Sequence, residues 1–82
     1  MDRLEKAKEI IKENFSLYDC GLFNTRNMAG DAMSTIYDED GLTIDVCYYW
    51  SYFEVFGLTD EEFSELKKFY AYLQHSREDE DE

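Results

Sequence analysis

The side chains able to do chemistry are few and scattered. His75 is the single histidine, and Cys20 and Cys47 are the two thiols. A nucleophilic enzyme needs a thiol or hydroxyl within reach of a base. Cys47 falls inside a strand pattern, where a thiol behaves as a small hydrophobe. Cys20 ends a helical pattern, where the negative pole of the dipole disfavours a thiolate. His75 stands at the far end of the last helical pattern, beside an acidic tail. One histidine and two distant cysteines give no zinc-ligand spacing. The run DEDG at 38–41 invites comparison with a calcium loop. With Gly41 at the loop's sixth position, Ile36 and Cys47 would occupy the first and twelfth, where carboxylates are required. No GxGxxG or Walker pattern is present. Carboxylates are too numerous for any pair to stand out, and a glycosidase cleft exceeds what 82 residues readily build. The sequence predicts no catalytic set, no metal and no cofactor, and so a protein that is not an enzyme.

What remains is charge and aromatic surface. The net charge is −12, and its placement is uneven. Residues 1–18 balance, with Asp2, Glu5, Glu9 and Glu13 against Arg3, Lys6, Lys8 and Lys12. Residues 19–57 and 58–82 carry −6 each. Such a field repels nucleic acid and anionic lipid and draws in basic protein surfaces. Between Tyr48 and Phe56 lie Tyr48, Tyr49, Trp50, Tyr52, Phe53 and Phe56, more rings than a small core needs. Asp38, Glu39 and Asp40, together with Asp45, Glu54 and Asp31, are expected on one side of the molecule. Wet-face residues along a strand are about 7 Å apart, close to the spacing of phosphates along one backbone. Carboxylates so arranged match a basic groove, and Tyr49, Trp50 and Tyr52 supply aromatic anchors beside them. The plain alternative is that acidic surfaces confer solubility. Arg26, the one base of residues 19–57, is expected to form a structural ion pair.

The elements that must position these residues are legible from periodicity. Leu4, Ala7, Ile11 and Phe15 recur at helical spacing, widened by Ile10, Leu17 and Tyr18, and predict a helix over 3–19 with Gly21 beyond its end. Residues 21–31 show no period and read as a loop with a short extended piece at 22–24. From Ala32 the period becomes two. Asp40–Gly41 between two alternating runs signals a hairpin with a type I′ turn. Leu42, Ile44, Val46 and Tyr48 are expected to face inward, leaving Asp45 as a surface carboxylate. A third strand over 52–57 is expected to turn back across 49–51, burying Phe53 and Val55; one long bulged strand over 42–56 is the alternative. Thr59 and Glu62 form a capping box at the start of a helix over 60–74, whose buried stripe is Phe63, Leu66, Phe69, Tyr70 and Leu73. The whole predicts an α+β fold of two layers. A three-stranded antiparallel sheet is flanked by one N-terminal and one C-terminal helix, α-β-β-β-α. Residues 1–75 make one compact domain and 76–82 an acidic disordered tail.

The segment DGLTIDVCYYWSYFEVFGLTDEEF, with its strand after DG, its mid-strand Cys47 and its FEVFGL ending, resembles small uncharacterised acidic proteins of Gram-positive bacteria and their mobile elements. In format (short, acidic, α+β, without a catalytic set) the chain is similar to phage anti-CRISPR and anti-restriction inhibitors. That format implies an inhibitor and carries over no site residues; the charge and aromatic pattern set out above predicts that it occupies the basic groove of a nucleic-acid-processing enzyme through Asp38, Glu39, Asp40, Asp45, Glu54, Tyr49, Trp50 and Tyr52. The alternative is a non-inhibitory interaction module, a homodimer through its aromatic strand. No signal peptide or membrane span is evident, so the expected setting is the cytoplasm, with both cysteines as thiols.

Overall fold

The computed structural model describes residues 2–26 and 33–80, with side chains as far as Ser76. Asp31, expected beside the other acids, lies outside them. Along the described chain run α1 (Arg3–Asn14), β1 (Gly21–Phe23), β2 (Met33–Glu39), β3 (Leu42–Cys47), β4 (Tyr52–Phe56) and α2 (Asp60–Glu80). The α+β class holds, but the sheet differs from expectation. It has four strands in the order β1-β4-β3-β2, and it is mixed. β2, β3 and β4 form the expected antiparallel meander, whereas β1 pairs parallel with β4, Gly21 opposite Tyr52 and Phe23 opposite Glu54. The short extended piece expected at 22–24 is this strand, one residue earlier, but three residues with no turn toward their partner do not announce a place in the sheet.

The first tight turn follows from its residues. Asp40 and Gly41 take φ of 55° and 81°, the positive values a type I′ turn demands. At the other end of β3 the chain turns through Tyr48–Ser51, with Ser51 at φ 53°, so the turn and not the long bulged strand is realised. A register shift does occur, but in β2 between Thr35 and Tyr37.

α1 stops at Asn14, earlier than expected. There the Asn14 amide donates back to the Ile10 carbonyl, and the next bonds, Leu17 to Asn14 and Tyr18 to Phe15, span three residues and not four. Gly21 therefore opens β1 and does not cap the helix; the preceding Cys20 N–H donates to Ser51 O at 2.8 Å. α2 begins on the anticipated capping box: Glu62 N–H donates to Thr59 Oγ1 at 3.1 Å, and Thr59 N–H to Glu62 Oε1 at 3.0 Å. It continues to Glu80, past the expected end at 74 and through residues 76–80, which had been expected in the tail. No glycine or proline after Gly57 interrupts it.

Both helices lie on one face of the sheet. Ala7, Ile10, Ile11 and Phe15 of α1 and Phe63, Leu66 and Tyr70 of α2 share one core with Leu22, Leu42, Ile44, Val46, Phe53 and Val55. Phe15 and Phe53 meet the Tyr70 ring edge-on, at 5.4 and 6.2 Å. Leu17 and Tyr48, expected inside, are exposed, because α1 and β3 end just before them. No helix among the described residues is long and apolar enough to cross a membrane.

Candidate functional site

The eight residues expected to share a binding surface occupy three separate places. The first is the hairpin tip. Asp38, Glu39 and Asp40 are exposed there, with Asp38 accepting from Thr43 Oγ1 at 3.1 Å. The tip is not alone. Gly57, two residues before the Thr59 cap, packs against the Gly41 carbonyl, which brings the first turn of α2 beside the hairpin. Asp60 and Glu61 are exposed in that turn. The start of α1 joins them: Arg3 Nη1 donates to Gly57 O at 3.0 Å, and Asp2 Oδ1 caps the helix by accepting from Glu5 N–H at 2.8 Å. One end of the molecule thus gathers carboxylates from three segments far apart in sequence. Arg3 and Lys6 lie among them, lining with Asp2, Glu9, Glu39 and Asp40 a depression of about 360 Å³ between α1 and the hairpin.

The second place is buried. Asp45 and Glu54 stand directly opposite each other on β3 and β4, on the face away from the helices. They are only 7% and 2% exposed, so the expected surface carboxylates are interior ones. Two like charges side by side on neighbouring strands repel. Nearby groups offset this. Thr35 Oγ1 donates to Asp45 Oδ1 at 2.7 Å, and Arg26 Nη1 approaches Asp45 Oδ2 at 3.7 Å while its guanidinium lies 4.5 Å from the Phe56 ring centre. The Tyr52 hydroxyl donates to Glu54 Oε2 at 3.2 Å. Arg26 is therefore in an ion pair, as its sequence position suggested. Tyr52, expected outward as an anchor, is also buried, beside Cys47 and Met33. Burial, then the Cys47 thiol and the Glu54 carboxylate next to it, push its phenol up to about 12.

The signal for this second cluster was present. Cys47, Tyr52 and Phe56 alternate on the face taken as wet, and their apolar character argues that the face is partly covered. The alternation was read as polar because Asp45 and Glu54 interrupt it.

The third place is the turn after β3. Tyr49 and Trp50 are 80% and 61% exposed, their rings edge-on at 6.3 Å. Phe23 of β1 reaches the same region, meeting the Tyr52 ring edge-on at 5.1 Å. An open groove of about 550 Å³ runs between Cys20, Phe23, Trp50 and Tyr52. Phe23 falls in the short extended piece expected at 22–24, but nothing local in the sequence marks it as a groove residue. At 3.4 Å per residue along β3, the turn and the hairpin tip are roughly 20–25 Å apart. They are opposite ends of the sheet, not one surface.

No family model matches the chain, and no curated protein or solved structure is detectably similar to it. What the chain can do is therefore a question for its own geometry. Among the described residues no three His, Cys, Asp or Glu side chains converge on a point that could hold a metal ion. The aromatic strand β4 lies between β1 and β3, so its edge is not available for pairing with a second copy; the sheet's edges are β1 and β2.

Proposed function

We propose that this chain is a small acidic binding protein that presents its acidic end to a basic surface of a protein partner. The observation that carries the reading is the convergence of the hairpin tip, the first turn of α2 and the start of α1. Asp38, Glu39, Asp40, Asp60 and Glu61 there point a concentrated field one way, on a chain of net charge −12. Fields of this kind steer association and set its salt dependence. The class of surface that fits best is the basic groove of an enzyme that handles DNA or RNA, and occupation of that groove would inhibit the enzyme sterically. Asp45 and Glu54, buried on the sheet face, do not touch the partner.

The test is capture of partners from a bacterial lysate by the wild-type chain and by an Asp38→Lys, Asp40→Lys, Glu61→Lys variant. A basic nucleic-acid-binding protein held by wild type, released as salt rises and lost from the variant is the expected result. Equal recovery by both chains, or retention at high salt, would overturn the reading.

A second reading rests on the exposed rings of Tyr48, Tyr49 and Trp50 at the opposite end. A salt-insensitive homodimer through them, seen by gel filtration across a salt series, would favour a non-inhibitory interaction module.

A further inference from the structure

The two edges of the sheet are unlike. β1 offers three residues, Gly21–Phe23, whereas β2 offers seven, Met33–Glu39, and pairs on one side only, with β3. Among the described residues, no backbone group of another segment bonds to its outer side. A row of unpaired N–H and C=O groups is a template for a further strand.

The side chains along this edge say which strand fits. Residues directly opposite on paired strands share a face. Tyr37 and Glu39, opposite the core residues Ile44 and Leu42, therefore stand on the helix side, and Asp38, opposite Thr43, on the other. Carboxylates thus flank the edge on both faces at consecutive positions, and Asp40 follows in the turn. On the helix side, Tyr37, Glu39 and Asp40 line the depression of about 360 Å³ against α1. The two cations that line it are engaged by the chain itself. Arg3 bonds the Gly57 carbonyl, and Lys6 lies 3.9 Å from Glu9 and 5.5 Å from the Tyr37 ring centre. Among the described residues, neither Glu39 nor Asp40 has an ion-pair partner.

A second copy of the chain fits this edge poorly. It would bring carboxylates against carboxylates, and the register shift between Thr35 and Tyr37 breaks the continuous ladder that self-pairing uses. Regular pairing resumes at Tyr37–Glu39, where the charge is concentrated. We infer that an extended basic segment of the partner adds to the sheet as a further strand along Tyr37–Glu39. Lysine or arginine side chains at successive positions then meet Asp38 on one face and Glu39 on the other. In such strand addition the main-chain hydrogen bonds give affinity and the flanking side chains give selection. The inference rests on the acidic-end reading and adds how that end makes contact.

Acetyl-Val-Lys-Arg-Lys-Val-amide, titrated at low ionic strength, is expected to shift the NMR amide signals of Tyr37–Glu39 saturably and to slow their hydrogen exchange. The same peptide with its central amides N-methylated keeps its charge but cannot pair. It should bind about tenfold more weakly, the loss expected for a pair of hydrogen bonds. Asp38→Lys with Glu39→Lys should weaken the unmodified peptide about fivefold or more, while the amide signals of β3 and α2 confirm an intact fold. Equal binding of the two peptides would overturn strand addition and leave the acidic end as a purely charged contact. No saturable binding of either would overturn the acidic end along with it. Shifts confined to β1 or to the turn after β3 would overturn the inference by placing the segment elsewhere. So would β2 signals that move with protein concentration alone, since a second copy would then occupy the edge.

Discussion

The two ends of this sheet are built from opposite materials. At the hairpin end, carboxylates from three segments crowd together, and backbone contacts hold the segments in place: Gly57 against Gly41, and Arg3 on the Gly57 carbonyl. At the other end the rings of Phe23, Tyr49 and Trp50 are exposed and Tyr52 is buried beside Phe23, while Tyr70 is buried on the helix side of the sheet, its hydroxyl donating to Tyr18 O at 3.3 Å. Charge acts at long range and is screened by salt; an aromatic surface acts only on contact. The chain separates the two by the length of a strand.

The sharpest way to break the acidic end is at its joint. Gly57 sits at φ 102°, and a methyl group there would overlap the Gly41 carbonyl. Gly57→Ala is expected to cost about 2–4 kcal/mol, the range for forcing a side chain into strained, close-packed backbone. Urea unfolding measures it, and a loss under about 1 kcal/mol would mean the joint is looser than described.

The aromatic end answers to alkali. Burial pushes the Tyr70 phenol up to about 12, against the lowering effect of the Gly21 N–H, and Tyr52 is raised to about 12 for the causes given above. Both folded-state values exceed the ordinary tyrosine value of 10.0, so the stabilisation is fully present below pH 10 and is lost as pH rises through 12. Tyrosinate absorbance near 295 nm (roughly where the phenolate absorbs), followed together with circular dichroism, is expected to show the last phenols ionising as the fold melts. Tyr52→Phe should remove one of them. Complete ionisation by about pH 11 with the fold intact would contradict the burial.

Smaller effects discriminate more finely. Thr59→Ala removes the reciprocal cap beside the acids and is expected to cost about 1 kcal/mol. Trp50→Ala, at an exposed turn, should change stability by no more than about 0.5 kcal/mol while emptying the aromatic end of its main ring. A larger loss on urea unfolding would make Trp50 structural and weaken its claim as a contact.

Much of this architecture could be read from residue types. The type I′ turn, the capping box, the meander and most of the core followed from Asp40–Gly41, Thr59–Glu62 and two periodicities, because each is a local signal. β1 is legible only as a short extended piece at 22–24, not as a member of the sheet: its partner Tyr52–Glu54 is some thirty positions away and pairs in parallel, so no turn announces it. The extent of α2 was missed because charge was taken for disorder, where the absence of helix breakers weighed more. Of the residues expected on one surface, Asp38, Glu39 and Asp40 are exposed at one end and Tyr49 and Trp50 at the other, while Asp45, Glu54 and Tyr52 are buried. Alternation placed Asp45 and Glu54 on the correct face, yet only the fold reveals that Thr35, Arg26 and Tyr52 close around them. The meeting of residues 38–40 with 60–61 depends on the packing of two glycines, which periodicity does not encode.

The place of β1 in the sheet has a kinetic meaning. β2, β3 and β4 are joined by short turns and close over small loops, whereas β1 can dock only after β4 exists to receive it. It is expected to be the last strand to form and the first to open, with the amides of Gly21–Phe23 exchanging hydrogen well before those of β3. Phe23 and Cys20 move with it. The wall of the aromatic groove is thus expected to come and go with the final strand of the fold.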